Sequence, residues 1–365
     1  MKVVYDAFEG RYSDNPRALY ERMGRERPGD SHVWLCDPRC ADGFPADVAT
    51  VPFGTAAARA ALEDADLVVA NTHLDLAWDK KPGAVYLQTW HGTPLKRIHR
   101  DVLWAPDGVL ARLDADVARW DYLLSPNAVS SPRLREAFGF AGEVLEVGYP
   151  RNDLLSSADA PAVRAGVRQA LGIPDGVTAV LYTPTWRDDE FYATSTVTWA
   201  LDVEAFQRRL GPGYRLLPRL HYKMTGRGEP LESPAVIDVS RHPDVQELYL
   251  AADVMVTDYS STMFDFAITG KPLLFFAYDL ECYRDSLRGF YFDLEPLAPG
   301  PVLQTSDQVL TALQDLDTVR ADHAGRYAEF RRRFAHLEDG RAGERLEWLF
   351  RPDVGTPAVA ATVSG

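Results

Sequence analysis

The chain has 365 residues, 46% hydrophobic and 25% charged, with 39 Lys and Arg against 53 Asp and Glu for a formal net charge of −14. That length suits two globular domains of about 100–200 residues each, and the composition excludes disordered, collagenous and disulfide-scaffold classes. So acidic a chain has no general pull toward nucleic acid or anionic lipid; an anionic ligand must meet a local cluster of cations or free backbone amides.

In chain order, apolar runs rich in Val, Leu, Ile and Tyr predict strands at 3–8, 33–36, 67–71, 85–89, 122–125, 144–147, 179–183, 214–217, 236–239, 254–258 and 273–276. The intervening patterns predict helices at 16–27, 55–64, 109–118, 131–138, 162–171, 203–210, 244–251, 260–269 and 307–316. Strands apolar on both faces that alternate with helices make parallel α/β sheets. The loop 148–157 and the Ala/Asp-rich run after it read as a boundary. The expected units are 1–157, 158–320, a helical crossover at 321–350 that packs back across both halves, and a disordered tail at 351–365.

The three cysteines, Cys36, Cys40 and Cys282, form no CxxC pair or zinc-ligand array, which suits a reducing compartment. With no signal-peptide core and no run of about 18 apolar residues, the expected location is the cytoplasm. Any membrane contact is expected to be peripheral, at the inner face, through another domain or protein.

Ligands of open parallel sheets bind beyond the carboxyl ends of strands. His91, Gly92, Thr93 and Lys96 follow the 85–89 strand there: His91 either takes a proton near neutral pH or caps a turn carbonyl, and Gly92 lets backbone approach a ligand. Arg11 and Asn15 link the first strand to the first helix at the same end of the sheet. In the second half, Arg219, His221 and Lys223 alternate along extended chain and share one side, as a phosphate site or as the polar face of an edge strand. The segment Asp258, Ser260, Ser261, Thr262 joins a buried strand to a helix start. Its hydroxyls and free amides would cradle an anion without excess positive charge, or Asp258 or Ser260 simply caps the helix. Asp265 on that helix meets ribose hydroxyls or solvent. Arg151 and Arg187 follow strands and suit two-pronged phosphate contacts, and Trp186 stacks on a ligand or closes the cleft.

Seven strings in order, Gly10–Tyr20, Gln88–Lys96, Gly148–Asp153, Thr183–Asp188, Arg219–Tyr222, Asp258–Ser261 and Tyr283–Asp293, resemble the CDP-glycerol:poly(glycerophosphate) glycerophosphotransferase family over roughly residues 1–350. The resemblance implies a GT-B-like α/β fold: two Rossmann-like parallel-sheet domains facing across a cleft, with the C-terminal helix crossing back. It also implies two essential histidines, matching His91 and His221, and a nucleotide diphosphate site matching Ser260, Ser261 and their neighbours. The expected donor is CDP-glycerol or CDP-ribitol, and the expected acceptor is a polyol-phosphate polymer, a capsule-like polymer or a lipid-linked primer; nucleic acid is not expected.

Polymerases resembling this chain carry a further N-terminal membrane-docking region, whereas this sequence opens on its first strand. It therefore reads as one module of a larger protein or as a short primase. The expected chemistry is attack of an acceptor hydroxyl on the alcohol-bearing phosphorus, expelling CMP, with His91 as base and His221, Arg219 and Lys223 on the diphosphate. A nucleotide-sugar glycosyltransferase and a non-catalytic binding module are the alternatives. Mg2+ is compatible with the reaction, but no clear ligand set marks a metal site, Asp188-Asp189 being too weak a signal.

Overall fold

The computed structural model describes residues 1–104, 106–185, 199–220, 233–284 and 289–351. Seven parallel strands form the first sheet: β1 (Lys2–Asp6), β2 (Ser31–Cys36), β3 (Thr50–Pro52), β4 (Leu67–Ala70), β5 (Val85–Gln88), β6 (Tyr122–Ser125) and β7 (Glu143–Glu146), in the order β3-β2-β1-β4-β5-β6-β7. Five parallel strands form the second: β8 (Thr178–Thr183), β9 (Tyr214–Pro218), β10 (Val254–Thr257), β11 (Leu273–Phe276) and β12 (Val302–Leu303), in the order β12-β11-β10-β8-β9. Each sheet reverses its winding once, between β1 and β4 and between β8 and β10. Such a reversal opens a crevice at the carboxyl ends of the strands.

Helices cover the sheets as the apolar runs require. The first sheet carries α1 (Asp14–Glu26), α2 (Ala56–Asp64), α3 (Val109–Val117) and α4 (Ser130–Phe138). After α5 (Ala160–Ala170), the second carries α6 (Val203–Leu210), α7 (Val245–Ala251) and α8 (Thr262–Phe266). Val3, Tyr5, Leu67 and Leu87 pack on one face of the first sheet, and Val4, Val68, Tyr86 and Leu123 on the other. Burying both faces is what selects near-continuous apolar strands.

Two helices close the chain, α9 (Ser306–Gln314) and α10 (Leu316–Phe334). Phe330 and Phe334 on α10 enter the core of the second half beside Phe264, while Leu346, Leu349 and Phe350 enter that of the first. The final segment thus crosses back between the sheets.

Four elements differ from expectation. The strand expected at 236–239 is reduced to an isolated parallel bridge from Val236 to Leu216, with Ile237 N and Val239 N donating to the Leu216 and Pro218 carbonyls beside β9. The helix expected at 260–269 is a five-residue α8 followed by one 3₁₀ turn, stopped by Gly270 at φ 70°. Strands β3 and β12, of three and two residues, were not anticipated. Of the expected 351–365 tail, residues 352–365 lie outside the described residues.

Candidate active site

Among the described residues, His91 and Gly92 follow β5 in the first half and Ser260–Thr262 follow β10 in the second. At the end of β1 the backbone turns left-handed at Phe8, Glu9 and Gly10, with φ of 47°, 60° and 104°. Only glycine fits the last position, since a Cβ there would lie 2.1 Å from the Asp37 nitrogen. After β5, Trp90 is also left-handed, at φ 52°. Gln88 accepts from its N–H at 2.9 Å and Asn15 donates to its carbonyl at 3.1 Å, so this strained residue is held from both sides.

That turn presents His91. Its Nδ1 lies 2.6 Å from the Asn71 carbonyl, an acceptor, so Nδ1 carries the proton and donates it. Nε2 is left with the lone pair. The ring is flanked by Trp90 at 4.1 Å and Phe8 at 5.3 Å between centroids. Burial pushes its pKa down to about 4, which keeps the imidazole neutral at physiological pH. Asn71 went unremarked as a functional residue in the sequence; its place at the end of β4, beside the winding reversal, was the available signal.

Gly92 brings the first half against the second: a Cβ added there would lie 2.9 Å from Ser261 Oγ and 3.0 Å from Ser261 Cβ. Beyond it the loop is built into the other half. Leu95, 1% exposed, belongs to the second core, its carbonyl accepts from Tyr291 N at 2.8 Å, and Arg97 N donates to Gly289 O at 3.1 Å. Lys96 forms the antiparallel bridge with Phe290 in this pairing. Thr93, expected as an acceptor-side or supporting residue, is 3% exposed, and its Oγ1 accepts from Asn127 Nδ2 at 3.1 Å. That residue anchors the loop.

In the second half, Ser260, Ser261 and Thr262 are half-buried at the winding reversal, with Thr262 Oγ1 3.1 Å from Thr183 Oγ1. The Asp258 carboxylate is 2% exposed and accepts from Thr185 N and Tyr259 N, tying the loops after β8 and β10 together. Arg219 Nη1 donates to the carbonyls of Val239 and His242 at 3.1 and 2.7 Å. Burial, with Arg11 nearby in the first half, pushes the Arg219 pKa down.

Arg151 and Asp265 were expected at the ligand and are found paired with each other. Arg151 Nη2 donates to Asp265 Oδ2 at 2.7 Å, Nη1 donates to Asp14 Oδ2 at 2.5 Å and to the His91 carbonyl at 3.0 Å, and Asn152 Nδ2 donates to Asp265 Oδ1 at 3.1 Å. The sequence did not show these pairings because Arg151 and Asp265 are 114 positions apart. His221, Lys223, Trp186, Arg187 and the Asp188-Asp189 pair lie outside the described residues. Among the described residues no group of three or more His, Cys, Asp or Glu side chains is placed to hold a metal ion, and no helix is long and apolar enough to cross a membrane.

Residues 1–349 match the model of a family described as CDP-Glycerol:Poly(glycerophosphate) glycerophosphotransferase. The chain belongs to this glycerophosphotransferase family. It is 37% identical, over 94% of its length, to a teichoic acid poly(glycerol phosphate) polymerase of Bacillus subtilis (strain 168), of which it spans 48%. It is 36% identical, again over 94% of its length, to a teichoic acid glycerol-phosphate transferase of Staphylococcus aureus (strain NCTC 8325 / PS 47), of which it spans 91%. The chain thus spans about half the length of some curated relatives and about nine-tenths of others. Among solved structures, the wall teichoic acid polymerase TagF matches at a TM-score of 0.88 and 34% identity over 96% of this chain and 89% of that one. This glycerophosphotransferase-family chain therefore has the expected GT-B-like α/β fold.

Proposed function

We propose that this chain transfers glycerol phosphate from CDP-glycerol to the terminal hydroxyl of a polyol-phosphate polymer or primer, releasing CMP. One observation carries the reading: the neutral His91, its Nε2 lone pair unused by the Asn71 contact, sits on a loop packed against the Ser261 turn of the opposite half. The acceptor hydroxyl attacks the glycerol-bearing phosphorus; the bond from that phosphorus to the CMP oxygen breaks, and its electron pair leaves with CMP. His91 Nε2 takes the hydroxyl proton. Arg219, Arg11 and the hydroxyls at 260–262 are assigned to the diphosphate, His221 joins them on family resemblance, and Lys223 joins them from its place in the same alternating run. Because α8 has only five residues, the cradle rests on amides and hydroxyls more than on a helix dipole. Positioning and charge neutralisation dominate this chemistry.

Glycerol is favoured over ribitol by the relatives. Those named for glycerol phosphate align over at least 94% of the chain at 35–37% identity, whereas a Staphylococcus aureus ribitol-phosphate polymerase aligns over 60% at 29%. The acceptor is assigned to the first half, and the site of action to the cytoplasmic side of the membrane. The test supplies CDP-glycerol or CDP-ribitol with short acceptors and analyses products by mass spectrometry. CMP release with acceptor growth by one glycerol phosphate is expected, and His91→Ala should lose about 100- to 10,000-fold. A cytidine diphosphate product, or full activity in His91→Ala, would overturn the reading.

A further inference from the structure

Arg151 lies at the centre of a set of contacts that the transfer reaction does not itself require. Its side chain is 6% exposed, and its guanidinium joins three elements: Asp14 at the start of α1, the carbonyl of His91 after β5, and Asp265 on α8 of the other half. Its backbone N–H is held by Asn15 Oδ1 at 3.2 Å, the same Asn15 that fixes the Trp90 carbonyl. The guanidinium lies 4.8 Å from the centre of the Tyr149 ring, and the Tyr149 hydroxyl accepts from Gly92 N at 3.2 Å. Arg151 therefore contacts the residue before Gly92 directly and the N–H of Gly92 through Tyr149. It also holds the helix that follows the Ser260–Thr262 turn.

We propose that Arg151 is a positioning residue that locks the His91 loop to α8 and so fixes the distance between the base and the phosphorus it serves. This deepens the glycerophosphotransferase reading and rests on it. A lysine at this position keeps one positive charge but not the planar fork, so it cannot serve Asp14, the His91 carbonyl and Asp265 together. Asp14 and Asp265 neutralise the guanidinium through Nη1 and Nη2, leaving the buried Nε without a partner, and Arg151 is assigned no phosphate. The two candidate roles differ in what they predict. A phosphate ligand sets donor affinity, whereas a positioning residue sets the rate after binding and the choice of nucleophile, since a base displaced by about 1 Å can cost about 100-fold in rate.

The test compares wild type, Arg151→Lys and Asp265→Asn in the 365-residue chain. CDP-glycerol affinity is measured by calorimetry without acceptor, and CMP release with acceptor. Product analysis then gives the ratio of transfer to the acceptor over hydrolysis to free glycerol phosphate. Asp265→Asn, which keeps an acceptor oxygen for Arg151, guards against simple unfolding of the lysine variant, and melting curves report folding of both. The expected result for Arg151→Lys is donor affinity within about threefold of wild type, kcat down by about 100-fold and a ratio shifted toward hydrolysis, with Asp265→Asn intermediate. A tenfold or greater loss of donor affinity, or an unchanged kcat and transfer ratio per folded molecule, overturns the proposal while leaving the transferase reading intact. If wild type releases no CMP from CDP-glycerol, both fall.

Discussion

Gly92→Ala tests whether the two loops of the site meet as tightly as the structure shows. The added methyl would sit 2.9 Å from Ser261 Oγ and 3.0 Å from Ser261 Cβ. Ordinary contact begins near 3.4 Å, so one loop must retreat by about half an ångström. Rotating the Ser261 side chain does not help, because Cβ is itself one of the obstructing atoms. Overpacking of this kind costs about 1–3 kcal/mol, or about 2–4 °C in Tm per kcal/mol in a chain of 150–250 residues and somewhat less in a larger one. Since an ångström of misplacement is worth about 100-fold in rate, half of that predicts a fall in kcat of about tenfold. The assay pairs thermal melting with CMP release for Gly92→Ala, Ser261→Gly and the double variant. Ser261→Gly removes both obstructing atoms, so the double variant should melt closer to Ser261→Gly than Gly92→Ala does to wild type. A Gly92→Ala protein with wild-type melting and turnover, or a double variant with no recovery of Tm, would refute the close approach.

Other consequences are open to measurement. With the His91 pKa pushed down to about 4, the acid limb of kcat/KM should fall near that value, and the limb of kcat should lie higher once the anionic donor is bound; a kcat/KM limb at an ordinary histidine value would remove the burial argument. Glu338, whose carboxyl accepts from Tyr149 N, is pushed up to about 8 by burial and by Asp265. Its folded pKa exceeds the unfolded one, so its contribution to stability is full below about pH 4.3 and is lost as pH rises through about 8, by up to about 1.4 kcal/mol per pH unit. Urea midpoints across that window should fall with pH in wild type and flatten in Glu338→Gln; equal slopes would count against it. Leu95→Ala empties a first-half side chain from the second-half core and should cost about 2–5 kcal/mol by chemical denaturation, whereas a loss below 1 kcal/mol would mean that the loop does not dock there.

Much of this architecture can be read in the chain. Ten of the eleven expected strands form, because runs such as Leu67–Ala70 and Leu273–Phe276 are apolar on both faces and only a covered parallel sheet buries both. The strands β3 and β12 are too short for periodicity to register, and the run at 236–239 pairs with β9 only as an isolated bridge. At the site, sequence identified residue types that belong near a phosphate, and the structure brings His91, Gly92 and Ser261 together. What it could not reveal were partnerships across the fold. Arg151 and Asp265 each look like ligand residues until the 114 positions between them are closed in space. Nor does a lone Asn71 announce that its carbonyl sets a histidine tautomer.

The pairing of residues 95–97 with 289–291 bears on how such proteins can be recombined. A chimera that joins the first half of this chain to the second half of a relative would insert Leu95 into a foreign core and set Arg97 and Lys96 against a foreign strand. The inheritable unit is not the half but the half plus its counterpart segment. An exchange that carries 289–291 along with 92–97 should keep the cleft intact, so donor preference can be transplanted only with the loop that bears the base.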